Sequence, residues 1–126
     1  MNTEITQEQE EALFSFLSTL SVPVYAAGAV PAGTPYPYLT YEEVIGAYGE
    51  EVPMMLVFRD RSDSFASLSA FSRAMEALVP EEGASVSFSG GKLLLFRGSG
   101  FLIRRGGEDP AIRCLDISLR AVCLYL

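Results

Sequence analysis

At 126 residues, 49% of them apolar and 20% charged, the chain has the material for one domain with a sizeable core and lacks the composition of a disordered segment. Nine basic residues against 16 acidic ones leave a net charge of −7, which argues against binding the phosphate backbone of nucleic acid or an anionic membrane surface. The charge is also polarised: the first 51 residues carry eight acids and no Lys or Arg, whereas from Arg97 onward five arginines outnumber three acids.

No stretch of about 20 apolar residues is present to span a bilayer. The N-terminus is polar and acidic where a signal peptide is basic and then apolar, so the chain reads as soluble and unexported. Cys114 and Cys123 fall in one predicted strand, on opposite faces and ~30 Å apart at ~3.3 Å per residue, so they cannot bridge each other. They read as reduced structural cysteines of a cytoplasmic protein.

In chain order, the first predicted element is a helix over 6–20 opened by a Thr6/Gln9 capping box, with Ala12, Leu13, Phe16, Leu17 and Leu20 on one stripe and an acidic outer face. A short strand over 22–27 follows, then a Pro/Gly loop over 28–37. Strands over 38–44 and 54–59, separated by a loop over 46–53, are expected to pair as an antiparallel hairpin. Ser62, Asp63 or Ser64 is expected to cap a second helix running to Val79, with Phe65, Leu68, Phe71, Met75 and Leu78 facing the core and Pro80 ending it. Next come a strand over 84–88, a Ser89-Gly90-Gly91-Lys92 turn, a strand over 93–96, a Gly98-Ser99-Gly100 break, a short strand over 101–104 and a loop over 105–110. The last strand, 111–125, has the clearest alternation in the chain. The sum is an α+β fold over 1–126, an antiparallel or mixed sheet with two helices packed on one face.

The chain has no histidine, which removes the commonest general base and the commonest transition-metal ligand, and two distant cysteines make no zinc site. The paired acids Glu42-Glu43, Glu50-Glu51, Glu81-Glu82 and Glu108-Asp109 point to opposite faces or sit in loops. The two glycine-rich turns lead into strands, so no helix N-terminus stands behind them to hold a phosphate. Tyr36, Tyr38 and Tyr41 form an aromatic cluster that has no basic residue nearby in sequence and reads as strand-entry packing. The expectation is a protein with no catalytic residues, no metal and no cofactor.

The run Thr34-Pro35-Tyr36-Pro37-Tyr38-Leu39-Thr40-Tyr41, followed by Gly46-Ala47-Tyr48-Gly49, resembles a stretch of small tail-completion, tail-terminator or minor capsid proteins of phages and prophages of Firmicutes. The resemblance continues through Met54–Arg59, Ser62–Val79, Gly90-Gly91-Lys92, Arg97-Gly98-Ser99-Gly100-Phe101, Gly107-Glu108-Asp109 and Arg113–Leu126. Those proteins usually show a Pro-Phe-Ala-Gln kind of segment in place of Gly100-Phe101-Leu102-Ile103, and a richer acidic loop in place of Gly106-Gly107-Glu108-Asp109-Pro110.

The resemblance implies a structural, non-enzymatic subunit that forms a homo-oligomeric ring, commonly a hexamer, capping the tail tube protein and meeting the head-side connector protein. It implies assembly in the cytoplasm and then residence in the tail or neck of the virion, without membrane or direct nucleic-acid binding. The alternatives are another head-completion or tail-assembly factor, and a small-ligand-binding domain or an enzyme built on carboxylates and tyrosines. Partner contact is expected at the loops 46–51 and 104–109, with Tyr48, Glu50, Glu51, Phe101, Arg104, Arg105, Glu108 and Asp109 as candidate interface residues.

Overall fold

A computed structural model describes residues 3–42, 49–62, 64–106 and 109–125. Helix α1 (Thr3–Ser18) leads into strands β1 (Val24–Ala26), β2 (Tyr38–Tyr41) and β3 (Glu51–Arg61). Helix α2 (Ala66–Leu78) follows, then β4 (Ala84–Phe88), β5 (Gly91–Gly106) and β6 (Ile112–Tyr125). The six strands form one sheet in the order β1-β2-β3-β6-β5-β4, in which β1 and β2 run parallel and every other pair antiparallel. The fold is α+β with a mixed sheet, as the alternation of helical and extended periodicity implies.

Both helices pack on the same face. Leu13 and Leu17 of α1 and Leu68, Phe71 and Met75 of α2 share one core with Leu39, Leu56, Phe58, Leu93, Leu95, Leu115, Ile117 and Leu119 of the strands. Phe58 and Phe71 stack at 4.0 Å, tying β3 to α2. Helix α1 touches both β1 and β4, which lie at opposite ends of the strand order, so the sheet curls around it.

Four of the differences from the sequence reading have an identifiable reason. α1 already runs from Thr3, so Thr6 lies inside the helix and the predicted capping box does not open it. Glu4, Gln7 and Glu8 are good helix formers, and nothing stops the helix before them. Strand β3 starts at Glu51 although Pro53 marked that stretch as loop. Met55 directs both its backbone groups to the β2 side, its N–H donating to the Glu42 side-chain Oε1 and its carbonyl accepting from the Glu42 N–H. Pro53, two residues earlier, therefore turns its missing N–H the same way, and the ladder to β6 loses nothing.

Helix α2 begins with Phe65 at the N-cap and no side-chain cap. Ser62 and Ser64 instead build consecutive turns before it, Ser62 Oγ accepting from the Ser64 N–H and Ser64 Oγ from the Ala66 N–H. The fourth correction matters most. Residues 91–106 form one strand and not two: the two-residue turn is Ser89-Gly90, and the Gly98-Ser99-Gly100 segment is a bulge within β5. Between the pairs Arg97↔Leu119 and Leu102↔Ile117, β5 advances five residues while β6 advances two. Gly100 takes φ +64, and a Cβ on Gly98 would lie 3.1 Å from the Ser118 backbone, so glycines suit the distortion.

The difference of three residues is odd, and side chains alternate with period two, so the bulge reverses which residues of β5 face the core. Before it Leu93, Leu95 and Arg97 point to the helices; after it Leu102 and Arg104 do.

Candidate functional site: the helix-free face of the sheet

The opposite face of the sheet carries no helix. Cross-strand register assigns to it Tyr25 of β1, Tyr38 and Thr40 of β2, Met55, Val57, Arg59 and Arg61 of β3, Ile112, Cys114, Asp116 and Ser118 of β6, and Ile103 and Arg105 of β5. Two of the three large apolar residues exposed among the described ones, Met55 (37%) and Ile103 (52%), lie here.

At one end this face forms a groove of about 410 Å³ lined by Tyr36, Tyr38, Arg59, Arg105, Asp109, Ile112 and Cys114. Ile112 and Cys114 are buried and make its floor. Tyr36 and Tyr38 stack at 5.3 Å, and Tyr25 meets Tyr38 edge-on at 6.0 Å, forming a wall of three rings. The register Tyr38↔Arg59 sets Arg59 beside that wall, its guanidinium 5.9 Å from the Tyr38 ring centre. Arg61 lies 5.5 Å from the ring centre of Tyr36. Such guanidinium–ring contacts hold a cation without neutralising it.

The ionic contacts are uneven. Arg61 pairs with Asp109 at 3.4 Å, and Arg105 Nε donates to Asp116 Oδ2 at 2.7 Å. Arg59 Nη1 donates to the neutral Thr40 Oγ1 at 2.9 Å and, among the described residues, has no carboxylate within 4 Å. Among the described residues, three arginines (Arg59, Arg61 and Arg105) stand against two aspartates (Asp109 and Asp116) at this end of the face. The hydrogen bond that Arg105 donates to Asp116 holds its guanidinium charged more firmly than usual. Tyr38 is pushed above the ordinary phenol value, first by burial and then by Tyr36, with Arg59 opposing. The second Asp116 oxygen, Oδ1, is enclosed and meets no donor among the described residues.

This surface offers flat rings, forked donors and an apolar floor, a combination suited to seating an aromatic side chain flanked by carboxylates. Among the described residues no three Cys, Asp or Glu side chains converge as they would around a metal ion, and no described helix is long and apolar enough to cross a membrane.

The predicted interface residues are scattered. Tyr48 and Glu108 lie outside the described residues. Glu50 is exposed, and Glu51 opens β3 with a 3.3 Å contact to Arg120. Glu51 stands eight residues along β3 from Arg59, ~26 Å from the groove. Phe101 packs against the core with the Arg97 guanidinium 4.7 Å from its ring centre. Arg104 points to the helix side, donating to Ser69 Oγ at 2.7 Å, while Arg105 points to the groove. Of the six that are described, Arg105 and Asp109 are the two that line the groove. Sequence reasoning saw Tyr36 and Tyr38 but found no basic residue near them; the β2–β3 register supplies Arg59 from 21 positions away. Tyr41, the third member of that cluster, is buried on the helix side.

No family model matches the chain, and no curated protein does. A solved structure designated only by a serial identifier aligns with 100% of this chain and 98% of its own, at a TM-score of 0.66 and 16% identity, which extends to the fold and not to function.

Proposed function

We propose that this protein is a structural subunit of a phage or prophage tail, a tail-terminator or head-to-tail joining component that works by assembling into a ring. The observation that carries the reading is the helix-free sheet face: a domain with its core complete on one side keeps exposed Met55 and Ile103 and a tyrosine–arginine groove on the other. Large apolar residues left exposed beside such a groove are a mark of interaction surfaces. The phage setting is supported by the Pro-Tyr-Pro-Tyr stretch and the Gly-Gly-Lys and Gly-Ser-Gly-Phe segments, which resemble those of small tail-completion proteins.

On this reading the protein performs no chemistry, the ring is commonly a hexamer, and its neighbours are the tail tube protein and the head-side connector. Sedimentation velocity and native mass spectrometry of the purified chain test the assembly, and negative-stain microscopy with polymerised tube protein tests its place. Rings seated on tube ends are expected. A chain that stays monomeric up to high protein concentration at low salt, with tube protein present, overturns the reading.

A further inference from the structure

Resting on that ring-forming reading, we propose that the tyrosine–arginine groove of one copy receives the exposed Glu10–Glu11–Phe14 face of helix α1 from the next copy. The two surfaces match in chemistry. Glu10, Glu11 and Phe14 are exposed on α1, and together with Ser15 and Tyr41 they border one surface depression. Phe14, 45% exposed, is the third exposed large apolar residue among the described ones, and on the helix the two glutamates stand three and four residues before it, on the same side. A ring with two carboxylates one helical turn away finds its counterparts at this end of the face: the Tyr36 and Tyr38 rings, with Tyr25 edge-on to Tyr38, and the buried Ile112–Cys114 floor for the ring, Arg59 in the groove and Arg61 beside it for the acids.

Charge complementarity gives the direction. The first 51 residues carry eight acids and no base, Glu11 accepts only from the neutral Gln7 Nε2 among the hydrogen bonds of α1's outer face, at 3.2 Å, and Arg59 is the groove cation without a carboxylate partner among the described residues. Of the two aspartates at this end of the face, Asp109 of the groove pairs with Arg61 beside it, and Asp116 accepts from the groove's Arg105. An incoming carboxylate therefore meets Arg59 first and shares Arg61 with Asp109.

The position of the two surfaces dictates the kind of assembly. α1 lies on the helix side of the sheet and the groove on the other, so the contact is not between like patches. Each copy offers a donor on one side and an acceptor on the other, a head-to-tail interface that closes into a ring when the rotation between neighbours divides a full turn.

Two charge-reversed variants test this, Glu10→Lys/Glu11→Lys on α1 and Arg59→Glu/Arg61→Glu in the groove, each checked for folding by circular dichroism and thermal melting. Each alone is expected to weaken self-association on the order of tenfold or more, by sedimentation velocity at low salt. Mixed one to one, the two variants are expected to recover assembly, because every groove then meets a helix of opposite sign. Phe14→Ser, a surface change that leaves folding intact, is expected to weaken association without altering its salt dependence.

Wild-type oligomers with both reversals and Phe14→Ser still assembling normally overturn this interface while leaving the ring reading standing. Reversals that abolish assembly singly but show no recovery on mixing also overturn it. A wild-type chain that is monomeric throughout overturns both. If the groove variant fails to fold, the α1 variant and Phe14→Ser decide: normal assembly by both removes the proposal.

Discussion

The two faces of this sheet are made by the same strands, residue against residue, yet one holds the fold together and the other is left for something else. On the helix side, Leu56 and Ile117 sit opposite each other, fully buried under the helices. One residue along, Met55 and Ser118 sit opposite each other on the far face, with Met55 exposed. Burial by helices makes the first pair a matter of stability. Its absence leaves the second pair free to be a matter of association.

The sharpest way to break that contrast is to truncate neighbours on one strand. Leu56→Ala should cost about 3 to 4 kcal/mol of unfolding free energy, since it removes a fully buried side chain and leaves a cavity. Met55→Ala should cost less than about 0.5 kcal/mol. Urea unfolding of the two variants compares them directly, and equal losses would mean the outer face is also core.

Gly91→Ala probes the close approach of β5 to β6 at the start of β5. A Cβ there would fall 2.0 Å from the Leu124 carbonyl oxygen, an overlap with backbone that no rotamer relieves. A loss of about 2 to 3 kcal/mol is expected, with a lower melting temperature as the readout.

Arginines of β5 show the contrast more finely. Arg97 points to the helices and donates to the carbonyls of Val79 at 2.9 Å and Glu76 at 3.3 Å, capping the C-terminal end of α2. Arg97→Met should cost about 1 to 2 kcal/mol by the same urea measurement. Arg105, paired with Asp116 on the solvent side, should lose about 0.5 kcal/mol or less on the same change, because exposed ion pairs contribute little.

The smallest effect is one of pH. Burial pushes the Cys123 thiol above its ordinary value, against hydrogen bonds with Gln9 and Tyr125, and burial likewise raises Tyr125 and Tyr38. The folded chain thus favours the neutral, protonated forms. Their contribution is complete below the ordinary values of 9.0 for the thiol and 10.0 for the phenols, and it is lost as pH climbs through the raised ones. Urea midpoints should fall as pH rises above about 9, and Cys123→Ala should remove the earliest part of the fall. A flat profile would mean that these groups are as solvated in the folded chain as in the unfolded one.

The helices and the core were legible because periodicity is a local property. The stripes on α1 and α2 and the alternation along β6 each point apolar side chains one way, and a segment can bury that side only against the others. The hairpin of β2 and β3 followed from the same reading. Arg104 and Arg105 show where it stopped. As neighbours in a presumed loop they looked like one interface feature, but a strand sends them to opposite faces, Arg104 to Ser69 and Arg105 to Asp116. The groove was illegible for a related reason: its tyrosines and arginines come from segments 21 or more residues apart, and no local signal records their register.

The sequence by itself determined the fold class, the two helices, the presence of a mixed or antiparallel sheet and the separation of the two cysteines, because each depends on spacing within a segment. Only the tertiary structure decided that Pro53 lies in a strand, that β5 is continuous, and that its bulge reverses the faces. It also decided that the tyrosines of β2 have arginines beside them. These depend on which strands become neighbours and in what register, and the free energy that chooses among registers comes from burying the whole core at once.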